Sequence, residues 1–556
     1  MNEKLVIQKE ETRDNHETIK INGYYVHSKY KPIDEALHFA EKNYHPHHLH
    51  IILGYGLGYI VEALIKKFSF NEPILLVDPL LDQNILNLHS HDYDRLYYMP
   101  LNSIEAIEKL ADQLGSYTTN IVFIASINYD HIFPLISKEI NLFTEELKYK
   151  QLTNINTSNY FAMQWQINYM INLQKIENDN SLRILYKHYD VPIVVAASGP
   201  SLTKQLDFLR EYREKIILIC AGSTINALIA AEIEPDYVIS VDGGEGNEKQ
   251  FSSVHLAKAQ LIYEPMTHYS VRKRFEKKSF VFTPTVRPGL KNHLERTLKR
   301  EFPSISGGGS VAHFALSVAK YITKGPICLI GQDLAYTNNQ SHADGSKYIT
   351  NNQQGNLKVE GYNGGEVISS SIFKVMINTF NELQVFEPHT NKVFNCTEGG
   401  AKLEQYEQVP FLHFLKEFSN DNVTIQRNMA LEFITNEFLM NNEFQVYNEI
   451  LSLLEQGRNL AEEEQGPSFS KKGIIKLGEI EKKLNSLYKK TCLDMLLEPH
   501  IIAAEHRFLP SVNETKEQEF KRVKNYIIQL YTNCYESIKQ YRVNLNQVLE
   551  KENKNA

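Results

Sequence analysis

Short apolar runs of strand length alternate along most of this chain with segments whose hydrophobic positions recur every three or four residues. That alternation predicts parallel strands joined by amphipathic helices. The clearest instance is Pro192-Ile193-Val194-Val195-Ala196-Ala197, which stops at Ser198-Gly199-Pro200-Ser201 before Leu202, Leu206 and Leu209 take up helical spacing. A buried strand, a tight turn and a helix N-terminus are expected there. First-turn amides lack intrahelical partners, so such a turn suits an anion, although Gly-Pro-Ser also makes a plain strand-to-helix connection.

The same pattern continues downstream. Apolar runs at 216–220, 237–241, 260–263, 280–282 and 327–330 end in small or acidic residues: Ala221-Gly222-Ser223-Thr224, Asp242-Gly243-Gly244 and Gly331-Gln332-Asp333. Ser306-Gly307-Gly308-Gly309-Ser310 leads into a helix at Val311. Polar, glycine-rich turns just after several strands mark the edge at which open parallel sheets bind ligands, so one shared nucleotide cleft is expected.

Upstream, His50-Ile51-Ile52-Leu53 runs into Gly54-Tyr55-Gly56-Leu57-Gly58, then a helical pattern, then Ile74-Leu75-Leu76-Val77 and Asp78. The order is Rossmann-like, with Asp78 where an acid often takes ribose hydroxyls, but the G-x-G-x-G spacing fits a methyltransferase-like turn as well as one in which glycines serve close packing. His45, His47, His48 and His50 surround Pro46 with no cysteine or acid beside them, and read as a solvent-facing lead into the strand rather than a metal site. Ile121-Val122-Phe123-Ile124 reads as a further strand. From about 131 to 180 the pattern is helical, with Phe161, Trp165, Tyr169 and Leu173 on one stripe. Beyond Glu407 strands give out and amphipathic helices follow, with breaks expected at Gly466-Pro467-Ser468 and Glu498-Pro499-His500. The expected division is therefore 1–185, a smaller Rossmann-like α/β domain with a helical bridge; 186–406, a central Rossmann-like parallel-sheet domain; and 407–556, a helical interaction domain.

Composition narrows the function classes. The formal charge is −8, from 59 basic and 67 acidic residues, and no basic block tracks a nucleic-acid backbone. No apolar run is long enough to span a membrane and the N-terminus lacks an apolar leader, so no membrane partner and a cytoplasmic location are expected. The five cysteines, Cys220, Cys328, Cys396, Cys492 and Cys534, never approach C-x-x-C spacing and read as reduced core residues.

Taken together, Gly199-Pro200-Ser201-Leu202, Pro235-Asp236, Gly308-Gly309-Ser310-Val311, Gly331-Gln332-Asp333-Leu334-Ala335, His342-Ala343 and Thr397-Glu398-Gly399-Gly400-Ala401 resemble the motility-associated factor (Maf) family of flagellin glycosyltransferases. The middle region is also similar, more distantly, to bacterial sialyltransferases. The resemblance implies that the central domain transfers a nonulosonic acid from its CMP donor to serine or threonine hydroxyls of flagellin, without a metal or other cofactor. It implies a donor site at Ser198, Gly199, Pro200, Ser201, Ser223, Thr224, Asp242, Gly308, Gly309, Ser310, Glu398, Gly399 and Gly400. Catalytic roles would fall to Asp333, Tyr336 and His342, with Asp344 or Glu366 as other candidate bases. His342 stands where the sialyltransferases carry a second phosphate-binding tyrosine, which leaves base and phosphate ligand open. Two other readings remain: a pterin diphosphokinase, for which Asp242 and Asp333 are the obvious magnesium pair, and a flagellin-binding scaffold without activity.

Overall fold

Each apolar run of the middle region becomes a strand of one nine-stranded, all-parallel sheet. The structure is a computed structural model describing residues 5–555 except 67–71, 83–85, 87, 89–92, 100–119, 255, 276, 278, 337–339, 341, 344–354, 356, 387–390, 422, 426–438 and 512–513. The strands are β1 (Asn180–Ser181), β2 (Ile193–Ala196), β3 (Ile217–Ala221), β4 (Tyr237–Ser240), β5 (Gln260–Tyr263), β6 (Phe280–Val281), β7 (Ile327–Ile330), β8 (Val393–Asn395) and β9 (Glu407–Gln408). Their spatial order is β9-β8-β7-β2-β3-β4-β5-β6-β1. From β2 the chain moves one way through β6, then returns to the opposite side of β2 as β7. The order therefore reverses between β2 and β7, which sets the crevice at which open α/β sheets take ligands.

The continuous apolar runs follow from burial on both faces. Val194, Leu218, Val238, Leu261 and Cys328 pack into one core layer, and Ile193, Ile217, Ile239, Ile262 and Ile327 into the other. Helices α1 (Leu202–Glu211), α2 (Ile225–Ala230), α3 (Pro288–Leu298) and α4 (Val311–Ile322) connect these strands. Because the strands are parallel, α1, α2 and α4 begin at the C-terminal edge of the sheet. The short edge strands β1 and β9, the short strand β8 beside β9, and an antiparallel hairpin of Leu357–Glu360 with Glu366–Ser369 lie outside the sequence pattern. Glu407–Gln408 is accordingly the last strand, not the first helical residues.

Packing divides the chain into two units that cut across the sequence. One comprises 1–160, 457–475 and 499–531; the other comprises 161–456, 476–498 and 532–556. In the second unit Tyr447, Ile538 and Tyr541 are completely buried, and His293 of α3 bridges Tyr169 and Glu443. Parts of the C-terminal helices thus complete this unit's core. Pro499, expected to separate two helices, lies inside one continuous helix, Asp494–Arg507, where its missing N–H forfeits one intrahelical hydrogen bond. The break at Gly466-Pro467-Ser468 does separate Leu439–Glu463 from Lys471–Tyr488. All five cysteines are buried and free.

The first unit holds a four-stranded parallel sheet, in the order Leu96–Tyr98, Ile74–Val77, Leu49–Leu53, Ile121–Ala125. Its glycine turn is filled by the protein itself. A Cβ at Gly54 would stand 2.4 Å from the Tyr129 ring and one at Gly56 2.4 Å from His27. Asp78 accepts from the Tyr55 amide (2.6 Å), the Leu80 amide (2.7 Å) and the Tyr129 hydroxyl (2.8 Å), and His27 Nε2 takes the Leu57 amide. The glycines serve close packing. His50 departs from expectation, being fully buried within its strand, where loss of solvent pushes its pKa down to about 3. Strand alternation ran against it: every residue of Leu49–Leu53 is buried. Replacing Asp78 by alanine strands several buried donors, so Asp78→Ala is expected to lose about 3 kcal/mol of stability in denaturant titration. An unchanged midpoint would show the turn is not held by this carboxylate.

Candidate active site

Three of the sequence motifs, separated by up to two hundred residues, meet at the reversal between β2 and β7 through one residue. Asp333, just past β7, accepts from the Ser201 amide (3.2 Å to each oxygen) and from the Ser201 hydroxyl (2.6 Å). Its backbone carbonyl accepts from the Ala401 amide at 2.7 Å. The surrounding glycines are there because nothing larger fits. A Cβ at Gly199 would lie 2.1 Å from an Asp333 carboxylate oxygen, and one at Gly400 2.1 Å from the Asp333 carbonyl. Gly199 therefore admits Asp333, not a ligand as its position in the turn suggested. The α1 amides expected to meet an anion are engaged too: Ser201 N–H by Asp333, Leu202 N–H by the Gly199 carbonyl, Lys204 N–H by the Ser201 carbonyl. Burial raises the Asp333 pKa above its ordinary value, against the lowering effect of Ser201.

Hydroxyls are what the turn leaves at the crevice. Ser198 Oγ lies 3.1 Å from Ser223 Oγ, joining the turns after β2 and β3, and Pro200 is half-buried beside them. Thr224 is fully buried, and its hydroxyl makes no hydrogen bond. The Ala343 amide donates to the Ser198 carbonyl at 2.7 Å, which seats His342 against the same turn. His342 is half-buried, and burial lowers its pKa, favouring neutral imidazole. Tyr336 is tied by its amide to the Ile368 carbonyl (2.8 Å) and packs its ring 5.4 Å from Phe373.

Backbone strain gathers here as well. Leu334 has φ +49°, and Glu398 φ +56°, a region costly for residues with a Cβ.

Other expected site residues lie along the same edge with different tasks. Ser310 caps α4, its hydroxyl accepting from the Ala312 amide (3.2 Å); Gly308 and Gly309 are exposed beside it. Glu398 accepts from the Phe411 amide (2.9 Å) and so caps the helix Phe411–Phe418. Gly399 packs against Ser201 and Asp333. Asp242 is exposed, with one oxygen held by the Gly244 amide (2.8 Å). Glu366 is exposed on the hairpin and paired with Lys358 at 2.8 Å, well suited to a surface ion pair and not to abstracting a proton. Asp344 lies outside the described residues.

A second cluster was not singled out from the sequence. Glu264, immediately after β5, is 6% exposed, and its Oε2 has no hydrogen-bond partner. Burial pushes its pKa up to about 8, with Asp242 adding to the rise and Arg287 opposing it. The Arg287 guanidinium lies 4.5 Å over the Trp165 ring, and that ring abuts Gly243 so closely that a Cβ there would stand 2.5 Å from it. The available signal was an acid directly after an apolar strand, as with Asp78 and Asp242.

Comparisons with known proteins agree with this architecture. A family model described as "6-hydroxymethylpterin diphosphokinase MptE-like" matches residues 167–339, the stretch from the end of the long helix through β7. No curated protein matches the sequence. Among solved structures, "Structure of MAf glycosyltransferase from Magnetospirillum magneticum AMB-1" superposes with a TM-score of 0.59 at 14% identity, covering 98% of this chain and 93% of that one. The chain shares that fold over nearly its whole length. Among the described residues no helix is long and apolar enough to cross a membrane.

Two expectations follow. Asp333→Ala leaves buried Ser201 donors unmatched and should cost roughly 2 kcal/mol, whereas Asp333→Asn keeps an acceptor and should cost less; equal losses on denaturation would show that the hydrogen bonds are not what matters. Glu264 retains a proton in the folded state that it releases near 4.5 when unfolded. Between those values the native state binds more protons, so this group's contribution makes stability fall as pH rises from 4.5 toward about 8. The difference in melting temperature between Glu264→Gln and the parent protein should widen in the variant's favour across that window. A constant difference would rule out the protonated acid.

Proposed function

We infer that this protein is a glycosyltransferase that moves a nonulosonic acid from a CMP donor to serine or threonine hydroxyls of flagellin, acting in the cytoplasm. The observation that carries the reading is the convergence of the Gly199–Leu202, Gly331–Ala335 and Thr397–Ala401 motifs at the strand-order reversal, on a fold shared along its length with a protein titled a Maf glycosyltransferase. The strained Leu334 and Glu398 beside it are consistent with a working site.

In this reading the acceptor oxygen attacks the anomeric carbon as the bond from that carbon to the donor phosphate breaks. CMP departs with the bonding electrons. His342, neutral because buried, takes the acceptor's proton, and Tyr336 with the Ser198 and Ser223 hydroxyls donates to the departing phosphate. Asp333 acts by holding the turn, since its oxygens are committed to Ser201.

The family match over 167–339 favours one rival, a pterin diphosphokinase. Such chemistry needs magnesium held by neighbouring carboxylates. Asp242 follows β4 and Asp333 follows β7, three strand positions apart in the sheet, or roughly 14 Å at the usual strand spacing. That pair is too far apart to share an ion.

Thermal shift with CMP and with ATP, each with magnesium or with EDTA, separates the two. Stabilisation by CMP that survives EDTA is expected; a response confined to ATP with magnesium would replace the transferase by the kinase. With a CMP-nonulosonic acid and flagellin, His342→Ala should lower turnover by roughly a hundredfold while CMP affinity holds. The acidic limb of the parent's rate profile should fall below pH 6.5, because burial depresses the His342 pKa. Near-normal turnover of the variant would remove His342 as base. Unaltered flagellin mass in a strain lacking the gene would remove the acceptor assignment.

A further inference from the structure

The long helix Pro134–Ile176 carries on its solvent side a pattern that neither the sheet nor the crevice uses. Over residues 134–160 its other side belongs to the core of the first unit, where Ile140, Thr144 and Leu147 are buried. The outward side is where polar residues are expected. Instead Leu135 is 81% exposed, Leu142 53%, Tyr149 65%, Leu152 52% and Tyr160 80%. Leu135, Leu142 and Tyr149 fall seven residues apart, with Leu152 three residues further on. Seven residues make close to two helical turns, so these side chains line up along the outward face and drift by only about 20° per step. A facing helix offers holes at that spacing.

The stripe is also large. From Leu135 to Tyr160 it runs about 38 Å at the usual rise of a helix. Taking about 200 Å² for a whole leucine and about 230 Å² for a tyrosine, the exposed parts of the five residues amount to roughly 700 Å². That exceeds the largest apolar patch of an ordinary monomer and approaches the roughly 800 Å² that each partner contributes to a standard interface.

We propose that this face pairs two copies of the chain through their 135–160 helices.

Charge, area and period select a second copy over other occupants. The residues flanking the stripe, Lys138, Glu139, Glu145, Glu146 and Lys148, carry both signs, and Lys148 is already paired with Glu145 at 2.7 Å. A helix lying on an anionic bilayer needs a basic polar face, and so does one tracking a nucleic-acid backbone. The exposed area is what one member of a two-fold pair supplies, and in such a pair each copy presents the seven-residue spacing that the other requires. Lys138 and Glu145 stand between the apolar positions of the first two steps and keep the seam narrow there. The pair is therefore expected to come apart on dilution, with a Kd on the order of micromolar. This pairing is independent of the sugar donor and of the acceptor.

Sedimentation of the full-length protein over about 1 to about 100 μM spans that range. The mass should rise from 64.2 kDa toward twice that value. Leu142→Glu combined with Tyr149→Glu places two charges in the seam and should weaken association by about a hundredfold. Because both side chains are exposed, the melting temperature of the dilute variant should stay within about 2 °C of the parent's. A parent protein that remains at 64.2 kDa at the highest concentration, or a variant that associates as tightly as the parent, would overturn the proposal. With p-benzoylphenylalanine in place of Leu142, irradiation should join two chains, and the attached peptide should come from 135–160 of the second copy. Attachment to another region would assign the contact to a different face and overturn the pairing. Attachment to added flagellin with none between copies would overturn it too, and give the face to the acceptor protein. The photoreactive side chain keeps position 142 apolar, so a poorly folded charge variant does not shelter the proposal.

Discussion

A buried carboxylate holding a serine across the strand-order reversal is the constraint on which the central domain depends. Asp333 reaches from the end of β7 into the turn after β2, and its oxygens take both the amide and the hydroxyl of Ser201. A carboxylate that deep is costly to desolvate, which is why its pKa stays raised even with three hydrogen bonds. Fixing it there demands small residues on every side. Gly199, Gly331, Gly399 and Gly400 supply them, each leaving a space that a side chain would have to contest with backbone or with Asp333 itself. Gly199, Gly399 and Gly400 thus lie against Asp333, and Gly331 against the Ala197 carbonyl.

The N-terminal unit solves the same problem in the same way. Asp78 sits in its glycine turn as Asp333 sits in the other, taking backbone amides that a phosphate would otherwise use. There the outcome is closure: Tyr129, Tyr55 and His27 complete the filling. In the central unit the hydroxyls of Ser198 and Ser223 and the 342–343 segment remain at the edge. One geometry therefore yields a packed turn in one sheet and a lined crevice in the other, and the difference lies in the neighbouring side chains.

Much of this was legible beforehand because strand burial and turn composition are local. The apolar runs match the parallel sheet, and their small-residue endings fall at its C-terminal edge. What stayed hidden depended on distant partners. Ser201 reads as a free cap until Asp333, 132 residues away, is seen to hold it. Glu398 reads as a ligand residue within Thr397–Ala401, yet it caps a helix thirteen residues on. His50 reads as exposed among histidines until all of Leu49–Leu53 proves buried. Edge strands of two or three residues, such as β1 and β9, carry no periodicity to detect.

The distribution of charge along the edge bears on which chemistry the fold can host. A kinase concentrates carboxylates around a metal; here the acids are spread out, one buried in the turn, one exposed, one protonated. Among the described residues, the crevice gathers the hydroxyls of Ser198 and Ser223 at its centre, and the Arg287 guanidinium lies on the Trp165 face. Hydroxyl donors suit a leaving group that departs as an anion. Glu264, after β5, stands two strand positions from the turn after β3, roughly 10 Å at ordinary sheet geometry. The two features therefore occupy separate parts of the edge: an anionic leaving group beside the reversal would meet the hydroxyl pair, and the buried acid lies too far along the sheet to share it.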